Sequence, residues 1–318
     1  MGTSESFVGM AKPPLALIAG PTASGKSDCA VRLALELRER GKSSVIINAD
    51  SAQVYADLAI LSARPTAAEM RGIEHRLFGT WDGASACSAA DWAVAARELV
   101  DETHAQGAVP IVVGGTGLYI RTLLDGIAPV PAIRPDVRAQ VRGMATAEAY
   151  AALQHDDPAR AATLAPADSA RICRALEVVR STGRTLAQWQ DQKTGGIGDA
   201  VSLHPAILLP DRALLYKRCD ARFAAMLERG AIDEVAALLA RNLDPALPVM
   251  RAIGVPEIAA FLRGELSLSE AETRGAQATR NYAKRQFTWL RHQPPVEWPR
   301  LTSLDYEISD IFASLFHT

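Results

Sequence analysis

Cysteine is scarce in this 318-residue chain, and its four thiols, at Cys29, Cys87, Cys173 and Cys219, never approach a CxxC spacing. That excludes a disulfide framework and a structural zinc module, and points to a reduced, intracellular, cytoplasmic protein with buried thiols. The six histidines are scattered and form no HExxH. No stretch has the length or apolar purity of a membrane span, so no membrane partner is expected. The first twelve residues, MGTSESFVGMAK, lack the basic start and the apolar run of a secretory signal. Positions 1–11 read as a frayed tail. An excess of charge is missing too, with 34 Lys and Arg against 36 Asp and Glu and a formal net charge of -2. Bulk charge therefore names no partner; a nucleic-acid ligand would need a local basic face.

What is present is an alternation of short apolar runs and helical patterns. Leu15–Ala19, Ser44–Asn48 and Val109–Val113 are apolar at nearly every position. Such runs suit strands buried on both sides, hence a parallel sheet covered by helices. After the first strand, Ala30, Val31, Ala34, Leu35 and Leu37 share one helical face, and the pattern breaks at Gly41. A second helix is expected over Ser88–Ala105, with Ser88 and Asp91 as a capping box and Trp92, Ala96, Leu99 and Val100 as its apolar face. The proline-rich Ala128–Pro135 marks a boundary. From there to Gln190 only helices are expected, the clearest being Ser169–Arg180 with Ile172, Leu176 and Val179 as its stripe. A strand resumes at Ala206–Leu209, and helices follow to about Arg291. The expected architecture is α/β: a P-loop NTPase-like parallel sheet core over 12–130 and 196–292, a helical insert domain over 131–195, and a tail over 293–318.

The strongest local signal is Gly20-Pro21-Thr22-Ala23-Ser24-Gly25-Lys26-Ser27, a complete GxxxxGK[ST] between a strand and an amphipathic helix. Its backbone donors can surround phosphate oxygens while the helix presents its positive end. Lys26 suits a terminal phosphate, and the Ser27 hydroxyl suits a magnesium ion. The loop accepts any di- or triphosphate. Asp50 follows the second strand, as a magnesium ligand, a general base facing the loop, or a turn residue. Ser51, Gln53 and Tyr55 add polar groups beside it. A second glycine loop, Gly114-Gly115-Thr116-Gly117, follows the third strand; its glycines allow close backbone approach to a ligand, and Thr116 offers a hydroxyl. Ligands of open α/β sheets bind beyond the carboxyl ends of strands, where both loops and Asp50 project. Basic residues gather in three sets: Arg171, Arg174, Arg180 and Arg184; Lys217, Arg218 and Arg222; and Arg274, Arg280, Lys284, Arg285 and Arg291. Each set alone reads as a solvated helix face. Together, around a phosphate cleft, they suit a polyanionic second substrate. Tyr282, Phe287 and Trp289 lie among the last set, as stacking surfaces or core.

These residues resemble the bacterial tRNA dimethylallyltransferases, also called tRNA isopentenyltransferases. The matching stretches are GPTASGKS at 20–27, DSAQVY at 50–55, SARPT at 62–66, HRLFG at 75–79, SAADW at 88–92, GGTGLY at 114–119, DPARAATLAPAD at 157–168, RICRALEV at 171–178, IGVPE at 253–257 and TRNYAKRQFTWLR at 279–291. They cover nearly the whole chain in order. The resemblance implies transfer of a dimethylallyl group from dimethylallyl diphosphate to N6 of adenine 37 in tRNA, with Mg2+ as cofactor and diphosphate released. It implies a monomer whose helical insert grips the anticodon stem-loop of tRNAs with adenosines at 36, 37 and 38.

Residue by residue, it implies Asp50 as general base, Thr116 on the diphosphate, and Arg171 and Arg222 near the reacting groups. It places Ser51, Ala52 and Gln53 in the base-recognition stretch. The segment holding Arg280, Lys284 and Arg285 would close against tRNA, and Arg174 joins that substrate surface. Three departures stand out: Ser27 where Thr is usual, Ala165-Pro166-Ala167-Asp168 for HPND, and Gly254-Val255-Pro256-Glu257 for GYKE. The alternatives from the residues alone are a small-molecule or nucleoside kinase and a nucleotide-gated RNA-binding protein.

Overall fold

The computed structural model describes residues 12–303 and 305–317; the frayed tail expected at 1–11 lies outside the described residues. In chain order the first elements are β1 (Pro14–Ala19), α1 (Lys26–Glu39), β2 (Ser44–Asn48), α2 (Ala67–Met70), β3 (Glu74–Arg76), α3 (Ala89–Ala105), β4 (Val109–Gly114) and α4 (Gly117–Asp125). Five helices follow: α5 (Pro135–Gly143), α6 (Thr146–Asp156), α7 (Pro158–Ala161), α8 (Ser169–Thr182) and α9 (Leu186–Gln190). The chain continues through β5 (Ser202–Leu208), α10 (Arg212–Glu228), α11 (Ala231–Ala240), a 3-10 turn (Pro248–Arg251), α12 (Val255–Leu262), α13 (Leu268–His292), β6 (Arg300–Leu301), α14 (Ile308–Ile311) and α15 (Ala313–Phe316). None of the described helices is long and apolar enough to cross a membrane.

The strands form one parallel sheet in the order β3-β2-β4-β1-β5-β6. The continuous apolar runs become its centre because both faces are covered. Ala16 and Ile18 of β1, Ile46 of β2, Ile111 of β4 and Leu208 of β5 pack under Cys29, Leu33 and Leu37 of α1. Alternate residues such as Leu15, Leu17 and Ile47 point to the other face and are also fully buried. On α3 the expected capping box is present, with Asp91 N–H donating to Ser88 Oγ at 3.2 Å.

Three departures from expectation have simple causes. β3 is a polar, three-residue edge strand, paired on one side only, and it carries no apolar run. β5 starts at Ser202, ahead of its apolar half, because Ser202 and Leu203 already pair with Pro14 and Leu15. The stretch set apart as a tail supplies β6, which pairs with β5, and two helical turns. From these turns Ile308, Phe312 and Leu315 enter the core beneath α1.

By contact the chain divides into two compact units, one running to Leu123 and resuming at Ile197, the other spanning Leu124–Gly196. The second unit has its own core of Val141, Leu153, Ile172 and Leu176, with Val179 half-buried against it. Its two ends are joined to each other. Ile127 and Thr194 form an antiparallel bridge, and a side chain at either Gly126 or Gly196 would collide with the opposite strand's backbone. This closure lies upstream of the proline-rich stretch, which explains why the unit starts before residue 131.

Candidate active site

The sheet register brings the functional loops together. Ala19 of β1 pairs with Gly114 of β4, and Asn48 of β2 pairs with Val113. The chain therefore leaves β1, β4 and β2 side by side, as the phosphate loop, the second glycine loop and the Asp50 turn.

In the phosphate loop, Gly20 N–H donates to the Gly114 carbonyl at 3.2 Å, and Ser24 N–H closes a turn on the Pro21 carbonyl. Ala23 and Gly25 both have positive φ, 63° and 89°. At Ala23 this is a strained backbone of the kind stored at ligand-binding loops. No side chain caps α1 at Gly25, so its first-turn amides remain available to an anion. The Lys26 ammonium is buried and reaches the Pro21 carbonyl at 3.4 Å. Burial pulls its pKa below the ordinary lysine range; Asp50 opposes the shift and Arg222 adds to it. The Ser24 hydroxyl is buried without a partner inside the loop. Ser27 is exposed at the start of α1.

Asp50 is held by a residue that sequence reasoning missed. Asn48 is fully buried at the end of β2; its Nδ2 donates to the carbonyls of Asp50 and Leu77, both at 3.0 Å. Its Oδ1 accepts the Asp50 N–H at 2.9 Å. The Asn48 carbonyl in turn accepts from Trp92 Nε1, whose ring stacks on Tyr119. With its backbone fixed, the Asp50 carboxylate accepts Ala52 N–H at 3.0 Å through one oxygen.

Thr116 stands over the same turn. Its Oγ1 accepts Ser51 N–H at 2.9 Å and donates to Ser51 Oγ at 3.2 Å. Tyr282 of α13 completes this group; its hydroxyl faces Thr116 and Ser51, and burial with Asp50 nearby pushes its pKa up to about 12. The glycines beside Thr116 serve protein packing. A Cβ on Gly114 would overlap the Ala49 carbonyl, and one on Gly117 would overlap the Trp289 ring. Their missing side chains thus let the loop pack closely against the end of β2 and α13.

A cavity of about 320 Å³ opens from this point. Thr22, Asp50, Ser51, Ala52 and Arg222 line its polar end, while Leu58, Leu61, Phe223, Met226 and Ile253 make an apolar wall. Arg222 is half-buried; burial disfavours its charged form and Asp50 favours it. Arg285 also lines the cavity, with its guanidinium 5.6 Å from the Tyr282 ring centre.

Other expected contact residues have structural partners. Gln53 is buried and its Nε2 donates to the carbonyls of Ser62 and Ala63, holding a loop that borders the cavity. Arg280 pairs with Asp220 of α10 and donates to Gln277. Lys284 is exposed on α13. Arg171 and Arg174 belong to the second unit. There Arg171 is exposed and paired with Asp168 at 3.2 Å, and burial lowers the pKa of Arg174 beside Glu177. Two more residues escaped sequence reasoning. Gln286 of α13 bonds to both glycine loops, and Glu234 of α11 accepts the N–H groups of Ala59, Ile60 and Leu61 at 2.6–2.8 Å. Gln286 sits inside the TRNYAKRQ stretch; Glu234 carries no local sequence signal.

The IPP transferase family model matches residues 53–293. The chain is 64% identical over 305 residues to a tRNA dimethylallyltransferase of Erythrobacter litoralis, covering 96% of each chain. It is 67% identical over 263 residues to that of Novosphingobium aromaticivorans, covering 83% of this chain and 94% of the other. Among solved structures, it is similar to the full-length tRNA isopentenylpyrophosphate transferase of Bacillus halodurans, with a TM-score of 0.66, 31% identity and coverage of 96% and 95%. A eukaryotic dimethylallyltransferase captured acting on tRNA aligns with a TM-score of 0.75 and 27% identity, over 87% of this chain and 70% of that one.

Proposed function

The chain belongs to the IPP transferase family, and from that premise we propose that it transfers the dimethylallyl group of dimethylallyl diphosphate to N6 of adenine 37 in tRNA, releasing diphosphate. The observation that carries this reading is the placement of Asp50. Its carboxylate lies where two phosphate-facing loops meet a cavity with an apolar wall. A kinase needs the loops and the carboxylate; the apolar wall beside them suits a hydrocarbon group.

The N6 amine of adenine is a poor nucleophile, because its lone pair is delocalised into the ring. It needs alignment with the allylic carbon and a base to take its proton as the new bond forms. Asp50, its backbone fixed by Asn48, serves as that base. Cleavage of the carbon–oxygen bond builds charge on the leaving diphosphate. Lys26, Arg222, the Thr116 hydroxyl and the first-turn amides of α1 stabilise it. The apolar wall excludes water, which would otherwise hydrolyse the diphosphate. Adenine 37 reaches Asp50 only when turned out of its stack, which costs little in an anticodon loop.

Magnesium fits the donor set as a substrate-bound ion. Among the described residues, no three His, Cys, Asp or Glu side chains gather into a metal cage. Ser27 offers one hydroxyl at the loop, and magnesium commonly takes its remaining oxygens from phosphates and water. Bound there, it would neutralise charge on the diphosphate. We assign tRNA with adenosines at 36, 37 and 38 as the acceptor, and Arg285 as the cavity-lining cation that meets it.

The test is to incubate the protein with magnesium, radiolabelled dimethylallyl diphosphate and unmodified tRNA of that sequence, then digest to nucleosides. Label on N6 of adenine 37 is expected. Absence of label, together with ATP turnover on a small acceptor, would give the site to a kinase.

A further inference from the structure

We propose that Gln286 is a positioning residue that sets the spacing of the two phosphate-facing loops from a third element, the helix α13. The inference rests on the reading above for the identity of the ligand and goes beyond it in assigning the residue. The Gln286 side chain is 5% exposed, and both ends of its amide are used. Oε1 accepts Thr22 N–H of the phosphate loop at 2.8 Å, and Nε2 donates to the Gly115 carbonyl of the second loop at 2.9 Å. The partners lie 264 and 171 residues away in sequence, so no local turn chemistry could supply this bridge.

A primary amide presents a donor and an acceptor side by side at the end of a flexible stem. It can therefore satisfy an N–H on one loop and a C=O on the other at once. A carboxylate would keep the first bond and repel the second carbonyl; an alkyl side chain would lose both.

Two further observations isolate the bridge as a built feature. Gly115 has no Cβ where one would overlap the Gln286 amide nitrogen and lie 2.7 Å from the Gly20 carbonyl. The loop thus leaves room for the amide. Tyr282, Gln286 and Trp289 stand at i, i+4 and i+7, one face of α13. They meet Thr116, Gly115 and Gly117 respectively, three consecutive residues of one loop. Gln286 also hydrogen-bonds to the phosphate loop, through Thr22. Because Thr22 N–H is committed to it, the anion-facing donors begin beyond Thr22, at the turn into α1. The amide thereby orients the loop as well as tying it.

The test compares Gln286→Leu, Gln286→Glu and Gly115→Ala with a control, Phe312→Leu, which perturbs the core beneath α1. Two quantities are read: steady-state constants for each substrate, and calorimetric binding of inorganic pyrophosphate with magnesium. Gln286→Leu is expected to raise the KM for dimethylallyl diphosphate and the pyrophosphate Kd at least tenfold, with the tRNA KM within about twofold. Gly115→Ala should reproduce this, and Gln286→Glu should fall between. Phe312→Leu should lower Tm while leaving both diphosphate constants unchanged. A wild-type pyrophosphate Kd in Gln286→Leu would overturn the proposal. So would equal losses in the tRNA KM and in both diphosphate constants, or a diphosphate loss that Phe312→Leu also shows at equal Tm, since either is a purely structural effect. If the wild-type protein transfers no label, the functional reading fails, but pyrophosphate binding still decides the role of Gln286.

Discussion

At the scale of single residues, the site separates groups that do chemistry from groups that hold them. Asp50 is the first kind and Asn48 the second. Replacing Asp50 by Asn should lower kcat by about 10²–10⁴, the ordinary worth of a positioned base, with tRNA affinity nearly unchanged. Loss of tRNA binding in parallel with rate, measured by filter binding, would count against the base role. Arg285 lines the cavity at its exposed edge. Arg285→Ala should weaken tRNA binding and reduce the slope of log K against log salt by about 1, as for the loss of one phosphate contact. An unchanged slope would remove it from the RNA surface. The residues legible in sequence were those in contiguous motifs: Lys26, Asp50 and Thr116 each sit in a short string next to an apolar strand. Asn48 looked like the polar end of a strand, and Gln286 like one polar residue in a long basic helix. Both act through partners that the linear pattern does not bring near.

At the scale of elements, the cavity wall depends on a loop pinned from behind. Residues 59–61 point three consecutive N–H groups at the Glu234 carboxylate of α11, and neighbouring Asp57 pairs with Arg241 at the end of the same helix. Hydrogen bonds to a charged acceptor are stronger than neutral ones, and orphaned donors carry a desolvation cost. Glu234→Ala should therefore destabilise the protein by about 2–4 kcal/mol, read by urea denaturation. A change below about 0.5 kcal/mol would mean that solvent replaces the carboxylate and the loop is not held by it. The same distinction governs which elements the sequence revealed. β1, β2 and β4 announced themselves because a strand covered on both faces must be apolar throughout. β3 and β6 are short edge strands, and their place is decided by pairing with β2 and β5 rather than by their own composition. The helices α14 and α15, of four residues each, are too short for a periodic pattern, though Phe312 between them and Leu315 of α15 are fully buried.

At the scale of the whole molecule, those last turns finish the sheet's core. Phe312→Ala should cost about 3–5 kcal/mol, the usual loss for a buried aromatic, with Tm as the measurement. The same segment supplies a pH dependence. His204 of β5 is buried, with Nδ1 2.8 Å from Ser314 Oγ and Nε2 3.4 Å from Ser202 Oγ. Burial holds its pKa below the ordinary value of 6.5. The unfolded chain then takes up a proton more readily than the folded one, so this contribution is complete above 6.5 and is lost as pH falls from there through the lower folded-state value. Urea midpoints should decline across that window, and His204→Gln should flatten the decline; an unaltered profile would assign it elsewhere. The second unit carries a different kind of consequence. The chain enters and leaves it through the bridge at Ile127 and Thr194, and just outside, Ile197 N–H donates to the Leu123 carbonyl at 2.9 Å. Entry and exit are neighbours, so the unit is a cassette. A short splice joining Leu123 to Ile197 would preserve the path of the surrounding chain, and the excised segment, with its ends already adjacent, is a natural candidate for circularisation or for transplantation into another scaffold.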